Sequence, residues 1–471
     1  MTACIIIYTG DTSGNDGNGG TNVPSSALTD TTEGETIETF GSTTMTFSGT
    51  LDLTGVGGND SGDVIWVDTP SGERHLFTVA SYTGGVSTCT GIVTDQAADG
   101  SDSALAWGIG GKRSTIDNDV GNPDFQDGLD GWEFELEDNG VDYTPDCSSS
   151  GSIPIVFSQG VGLDEGPIVI RSAAGDRATI VHNNPNDNVG ALFSLNTAGT
   201  SVRFEDINLR NEGFSWSGNF LIHQSQSNSQ VVLLRVDFDS NDIGAPYYGN
   251  ACGKVVAIHS AFHGSVGQGL FLNSGRESQV FIGCVFSDNA FYGVYLNQST
   301  GFQGSAYYNC IFRDNGSDGL YARPSAGATT LACVENCVFD SNIGAGIRIN
   351  GTMNLIGGPY NIINNIITNN GDHGIDVDTA GQENLHEHKV YENFNAFYGN
   401  TGSEVANMTQ GADDITLTAD PYEDAASDDY SLNNAAGGGA LCKAAGFPST
   451  WPFGGNDDAK VDIGAVAYEA P

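Results

Sequence analysis

The hexapeptide CVFSDN at residues 284–289 returns as CIFRDN at 310–315 and as CVFDSN at 337–342. With the aromatic residue of each copy set as position zero, equivalent positions fall at Phe238, Phe262, Phe286, Phe312, Phe339, Ile367 and Phe397. The gaps are 24, 24, 26, 27, 28 and 30 residues, and self-similarity at a period in the twenties marks a solenoid.

Flanking columns repeat with the same spacing. Two residues before zero stand Val236, Ser260, Cys284, Cys310, Cys337, Asn365 and Asn395. Three after it stand Asn241, Ser265, Asn289, Asn315, Asn342, Asn370 and Asn400. Seven after it stand Gly269, Gly293, Gly319, Gly346 and Gly374, each followed by an alternating apolar pair such as Ile347 and Ile349. The only period inside a repeat is two, interrupted by turns, which excludes helices and points to short strands. Rungs stacked about 4.8 Å apart place identical residues over one another. Phenylalanine and cysteine then fill a narrow core, asparagine serves the turns, and glycine serves the tight corners. The Cys284, Cys310 and Cys337 column reads as small buried apolar side chains.

The fold class expected is all-β: a single-stranded parallel β-helix with rungs of 24–30 residues, right-handed because crossovers between parallel strands are. Three segments are expected. Residues 1–150 form a β-rich N-terminal region for attachment or oligomerisation, 151–405 the solenoid, and 406–471 a closing cap. In the first, 62–85 reads as two strands joined by a turn, 88–96 as a third, and WEFELED (132–138) alternates strictly. A cap is needed because an open end exposes strand edges.

On the Cys-x-Phe-x-x-Asn and Gly-apolar-x-apolar patterns, residues 152–405 resemble the pectin-lyase-like superfamily of right-handed β-helices. The stretches GDVIWV (62–67), LFTVASYTGG (76–85) and AWGIGGKR (106–113) resemble segments ahead of β-helices in bacteriophage structural proteins. The C-terminal DPYEDAASDDYSL (420–432) and DIGAVAYE (462–469) resemble the closing segment of extracellular or viral β-helix proteins. The polygalacturonase-type motifs of the superfamily are not assembled. DHG (372–374) and RIN (348–350) are the nearest fragments, in the wrong order along the chain.

Composition bounds the function. Asp and Glu number 59 against 16 Lys and Arg, a net charge of −43. Such a surface repels nucleic-acid phosphates and anionic membranes, and no apolar run is long enough for a membrane helix. The start, MTACIIIYTG, lacks a basic region and a cleavage pattern, so no signal peptide is expected. None of the nine cysteines forms a CxxC pair or a zinc-spaced cluster. No cofactor is expected; the acidic surface would accept a divalent cation, with no ligands assigned.

Outward positions were read for chemistry. Nine after zero stand Phe271, Tyr295, Tyr321, Arg348 and Asp376; eleven after stand Asn273, Asn297, Arg323, Asn350 and Asp378. This face is a sugar-binding groove, with aromatics stacking on sugars and carboxylates moving protons, a face covered by another subunit or by the N-terminal region, or a simply exposed surface. Phe271, Tyr295, Tyr321 and Arg323 are the expected contact residues. The segment 373–389 is the densest acid and imidazole cluster. For an enzyme, the catalytic set would be Asp376, Asp378, Arg348 and His373; the competing reading of that segment is a solvated loop.

The resemblances imply a structural or adhesive protein of a bacteriophage virion surface: a capsid decoration, head spike or tailspike. Its partners would be other virion proteins and copies of itself, with trimers frequent among similar proteins, and glycan as a further ligand. The alternative is a polysaccharide lyase or glycoside hydrolase acting on surface glycans.

Overall fold

The computed structural model describes, before residue 160, the segments 4–8, 37–40, 44–47, 63–68, 74–78, 88–90, 93–94, 106–113, 132–136, 142–143 and 155–157. Beyond that it describes 167–173, 177–182, 191–196, 198–212, 216–239, 243–250, 253–273, 277–298, 302–324, 329–350, 360–377, 390–447 and 462–464.

The chain divides into two compact units. The first comprises Met1–His182 with Leu195–Asn208, so the boundary expected at 150 falls inside it. Its strand Trp132–Leu136 lies parallel between Cys4–Tyr8 and Ile168–Ser172, and the latter pairs parallel with Ser201–Glu205. In WEFELED, Phe134 and Leu136 are buried; the other side chains of that stretch lie outside the described residues. The expected hairpin is present, with Asp63–Asp68 antiparallel to Arg74–Thr78, and Phe77 and Thr78 opposite Thr94 and Val93.

The second unit comprises Asn183–Ser194 with Leu209–Pro471. Here the chain visits three parallel sheets in turn. The first sheet is built from Gln230–Leu234, Lys254–Ile258, Gln279–Ile282, Phe302–Tyr308, Thr329–Glu335, Tyr360–Ile363 and Val390–Asn393. The second stacks Asp237–Asp239, Ala261–His263, Val285–Ser287, Ile311–Arg313, Val338–Asp340, Ile366–Thr368, Ala396–Tyr398 and Ile415–Thr416. The third stacks Trp216–Gln224, Ile243–Asn250, Leu270–Asn273, Val294–Gln298, Leu320–Pro324, Ile347–Ile349, Ile375–Asp376 and Val405–Ala406.

The bend from first to second sheet takes one left-handed residue per rung, at Asn309, Asn336 and Asn364 with φ of 53°, 55° and 60°. Asparagine bears this conformation at the least cost after glycine; Arg235, His259 and Phe394 occupy the same column.

Register converts the sequence columns into ladders. Phe238, Phe262, Phe286, Phe312 and Phe339 stack with ring centroids 4.7, 5.0, 4.9 and 4.4 Å apart. Ile367 and Phe397 continue the column by strand register. The asparagine ladder is fully bonded. Asn289 Nδ2 donates to Asn315 Oδ1 at 3.0 Å, Asn315 to Asn342 at 2.8 Å, Asn342 to Asn370 at 3.0 Å and Asn370 to Asn400 at 2.9 Å. The second amide hydrogen of each reaches a backbone carbonyl, as from Asn342 to Phe312 at 3.0 Å. A buried amide so completely paired carries no desolvation penalty.

Two columns work differently from their sequence reading. The Cys284, Cys310 and Cys337 side chains are buried, yet they are bonded. Cys337 Sγ accepts from the Cys310 N–H at 3.4 Å, and the Cys310 thiol donates to the Phe281 carbonyl at 3.6 Å. Asn365 takes the same place, accepting from the Cys337 N–H at 2.9 Å and donating to the Val334 carbonyl at 3.1 Å. The thiol is thus a small stand-in for the amide. Burial pushes the Cys284 and Cys310 thiols well above their ordinary range, which keeps them protonated and inert. The glycine column reflects close approach: a Cβ on Gly293 would lie 2.6 Å from the Gly319 carbonyl oxygen, and one on Gly319 would lie 2.8 Å from that of Gly346.

The C-terminal segment does more than end the coil. Ile415–Thr416 adds the last strand of the second sheet. Tyr422, Tyr430, Cys442 and Ile463 then pack with Val338, Ile366, Ala396 and Leu417, covering the outer side of that sheet. Asn364 clasps the segment, donating to the Phe447 carbonyl at 3.1 Å and accepting its N–H at 2.7 Å.

Replacing Asn342 with alanine strips an acceptor from Asn315 and a donor from the Phe312 carbonyl. It should cost about 3 kcal/mol, as expected for buried polar groups left unpaired, measured by denaturant unfolding of the purified protein.

Candidate functional site

The outward side of the third sheet carries the predicted face. Strand register aligns Tyr248, Phe271, Tyr295, Tyr321, Arg348 and Asp376 in one column. Alternation within each strand sends these residues out while Leu270, Leu272, Val294, Leu296, Leu320 and Ile347 point into the core. Tyr248–Phe271, Phe271–Tyr295 and Tyr295–Tyr321 ring centroids are 5.0, 4.9 and 5.2 Å apart. Phe220 continues the ribbon at one end, 4.4 Å from Tyr248. At the other, Tyr292 stacks on Tyr321 at 4.7 Å. Phe271 and Tyr295 stack with planes 1° apart, whereas Tyr248 and Tyr321 tilt by 38° and 37° against them. A sugar stacks on an open ring face, and this ribbon offers few. Burial pushes the Tyr292 and Tyr321 phenols above their usual value. Arg323 is exposed at the rim with its guanidinium against the Tyr295 hydroxyl.

Where the aromatics end, one guanidinium gathers three carboxylates. Arg348 Nε lies 3.2 Å from Asp318 Oδ1, its Nη2 lies 2.6 Å from Asp372 Oδ2, and its Nη1 lies 3.3 Å from Asp376 Oδ2. Asp318 also accepts the Ala345 N–H at 2.7 Å, and Asp376 accepts from Asn407 Nδ2 at 3.0 Å. Asp318 is 3% exposed. Desolvation raises its carboxyl above the ordinary range and outweighs the opposing pull of Arg348. His373 lies at the edge of the group. Its Nδ1 accepts the Ser403 N–H at 2.9 Å, which places the ring proton on Nε2, 3.5 Å from Asp372 Oδ1.

The structure therefore brings Arg348, Asp376 and His373 together, as the sequence suggested, and adds Asp318 and Asp372, which sequence reading missed. Those two sit in the turn before the third sheet, six and five residues after zero, at positions whose residue type changes from rung to rung. Asp378, His386 and His388 lie outside the described residues. Each carboxylate of the group is held by the guanidinium and, in two cases, by an amide as well. The arrangement ties neighbouring rungs together. Among the described residues, no group of three or more His, Cys, Asp and Glu is placed to hold a metal ion, and no helix is long and apolar enough to cross a membrane.

The second unit is a parallel β-helix. Residues 247–410 match the family described as right handed beta helix region. No curated protein gives a significant sequence match. Similar solved structures include the pectate lyase Pel9A, at 14% identity over 73% of this chain and 89% of that one, with a TM-score of 0.49. The periplasmic alginate epimerase AlgG is similar at 11% identity over 61% and 79%, with a TM-score of 0.33. ORF18 of Geobacillus virus E2 is similar at 12% identity over 59% and 52%, with a TM-score of 0.31. Likenesses at this level carry nothing about activity.

Replacing Arg348 with methionine leaves Asp318 buried without its cation and should cost about 3 kcal/mol at neutral pH. A carboxyl whose folded value lies above its unfolded value favours folding at low pH, and the benefit is lost as pH rises. The deficit of the variant should therefore shrink as pH falls toward about 4, where Asp318 takes up a proton in both states; thermal unfolding at several pH values checks this.

Proposed function

We propose that this chain is a non-enzymatic structural and adhesive protein of a bacteriophage virion surface, of the capsid decoration, head spike or tailspike kind. The observation that carries the non-enzymatic part is the Arg348 cluster. Its carboxylates are tied to one guanidinium and to neighbouring amides, so the strongest acid-base candidate of the third sheet is a fastening. The ladders support a mechanical role: each rung is bonded to the next through backbone, asparagine and aromatic columns, a construction that resists proteolysis because no rung opens without its neighbours. The virion assignment is supported by the resemblance of the N-terminal stretches to segments ahead of β-helices in phage structural proteins.

In this reading the outer ribbon of Phe271, Tyr295 and Tyr321, with Arg323 at its rim, is a contact surface for a protein partner, either a virion component or another copy in a homo-oligomer such as a trimer. Tyrosines suit such a surface, since they bring apolar area and a hydroxyl at low entropic cost. Glycan contact at the same face is the competing reading. It draws on the meeting of Arg348, Asp376 and His373, and would make the chain a lyase or glycoside hydrolase.

The two readings part on two measurements. The protein should sediment with virus particles, and incubation with surface polysaccharides should release no products with either the natural protein or Asp376→Ala. Cleavage abolished by Asp376→Ala in a folded variant would establish the enzyme instead. Recovery only as a free monomer would remove the virion role.

A further inference from the structure

The column two residues before zero changes character at its end. Because Ile415 pairs with Ala396 and Thr416 with Phe397, the residue that follows Cys337, Asn365 and Asn395 in this column is Asp414. Its Oδ1 accepts the Asn395 N–H at 2.9 Å, just as Asn395 Oδ1 accepts that of Asn365 at 3.0 Å. Its Oδ2 stands where the asparagines carry a donor amide. The inward column five before zero ends the same way. Tyr307, Val334 and Ile362 are followed in register by Glu392, an acid 6% exposed where the core would continue.

These two acids meet. Glu392 Oε1 accepts from Asn395 Nδ2 at 2.8 Å and its Oε2 accepts the Gly411 N–H at 2.9 Å. Asp414 Oδ2 accepts the same Gly411 N–H at 3.1 Å. Two carboxyl groups thus converge on the same two partners, Asn395 and Gly411, and one backbone N–H is divided between them. Residues 360–363 and 390–417 contain no Lys, Arg or His. The other titratable side chains on these elements are Tyr360, Tyr391, Tyr398, Glu404 and Asp413, and Asp413 is held by Asn393 Nδ2 at 3.0 Å. With no described cation at the pair, full ionisation would set a buried and a half-buried charge against each other.

We propose that Asp414 and Glu392 share one proton and act as a pH-sensitive latch that closes the turn 407–414 over the last rung. Burial and the neighbouring Glu392 hold Asp414 far above the ordinary carboxyl range, consistent with this arrangement. A protonated Asp414 completes the column as an asparagine would. Over the pH interval between the ordinary carboxyl value and that of the pair, the closed state binds one more proton than the open one. The latch is therefore firm in acid and weakens as pH rises. Once the proton passes to solvent, the charges repel, the turn lifts, and the edges of Val390–Asn393 and Ala396–Tyr398 are uncovered.

Amide hydrogen exchange of residues 407–417 in the intact protein tests this, with protection corrected for chemical exchange and read in a chelator-containing buffer. Protection in the natural protein should fall at least about tenfold between pH 5 and pH 8, a tenfold change corresponding to one pKa unit. In Asp414→Asn, where the amide supplies the donor permanently, it should stay flat. If that variant does not fold, Glu392→Gln should flatten the profile in the same way. Equal pH dependence in the natural protein and a folded variant overturns the latch. So does protection at pH 5 that is found in a chelator-free control but not in the chelator-containing buffer, since a cation and not a proton would then hold the pair.

Discussion

Stacking in register is the constraint on which the coil depends. Parallel rungs about 4.8 Å apart place each side chain directly over its equivalent, so a residue type survives in a column only if it tolerates its own copy. Phenylalanine does, through offset stacking. Asparagine does, because it both donates and accepts along the same direction. A carboxylate does not. The chain carries 59 acidic residues, yet the inward ladders from Phe238 to Phe397 are apolar or amide until the last rung. In two outer columns opposite charges sit on adjacent rungs, Arg313 over Asp340 and Arg348 over Asp376.

This explains what was legible in the sequence. Columns that match themselves leave near-identical hexapeptides, and the zero, asparagine and glycine columns emerged from spacing alone, as did the outward line from Phe271 to Asp376. What spacing could not show was the physical reason for some columns. Cysteine looked like filler because its weak hydrogen bonds leave no mark on composition, whereas its replacement by Asn365 betrays the bonding role. The glycines answer to a carbonyl of the next rung, a contact invisible within one repeat. Asp318 and Asp372 escaped because they stand six and five residues after zero, where the residue type changes from rung to rung and no repeat marks the position. Asp414 was hidden by a short final interval: the column runs on, but 19 residues separate Asn395 from Asp414, against 30 from Asn365 to Asn395.

The outer face follows the same logic as the core. Aromatic rings that stack on one another stabilise the coil and withdraw their faces from ligands, and an arginine that satisfies three aspartates ties successive turns together. The C-terminal segment adds a layer over the second sheet, while the ribbon of the third sheet stays half-buried.

The central claim is that the ladders couple rung to rung, and a double-mutant cycle on neighbouring members measures that directly. Unfolding free energies of Asn315→Ala, Asn342→Ala and the double variant should be non-additive by more than about 1 kcal/mol, because the first substitution already breaks the bond that the second would remove. Additivity within about 0.3 kcal/mol would mean that the asparagines act independently, and that the backbone alone holds the rungs in register.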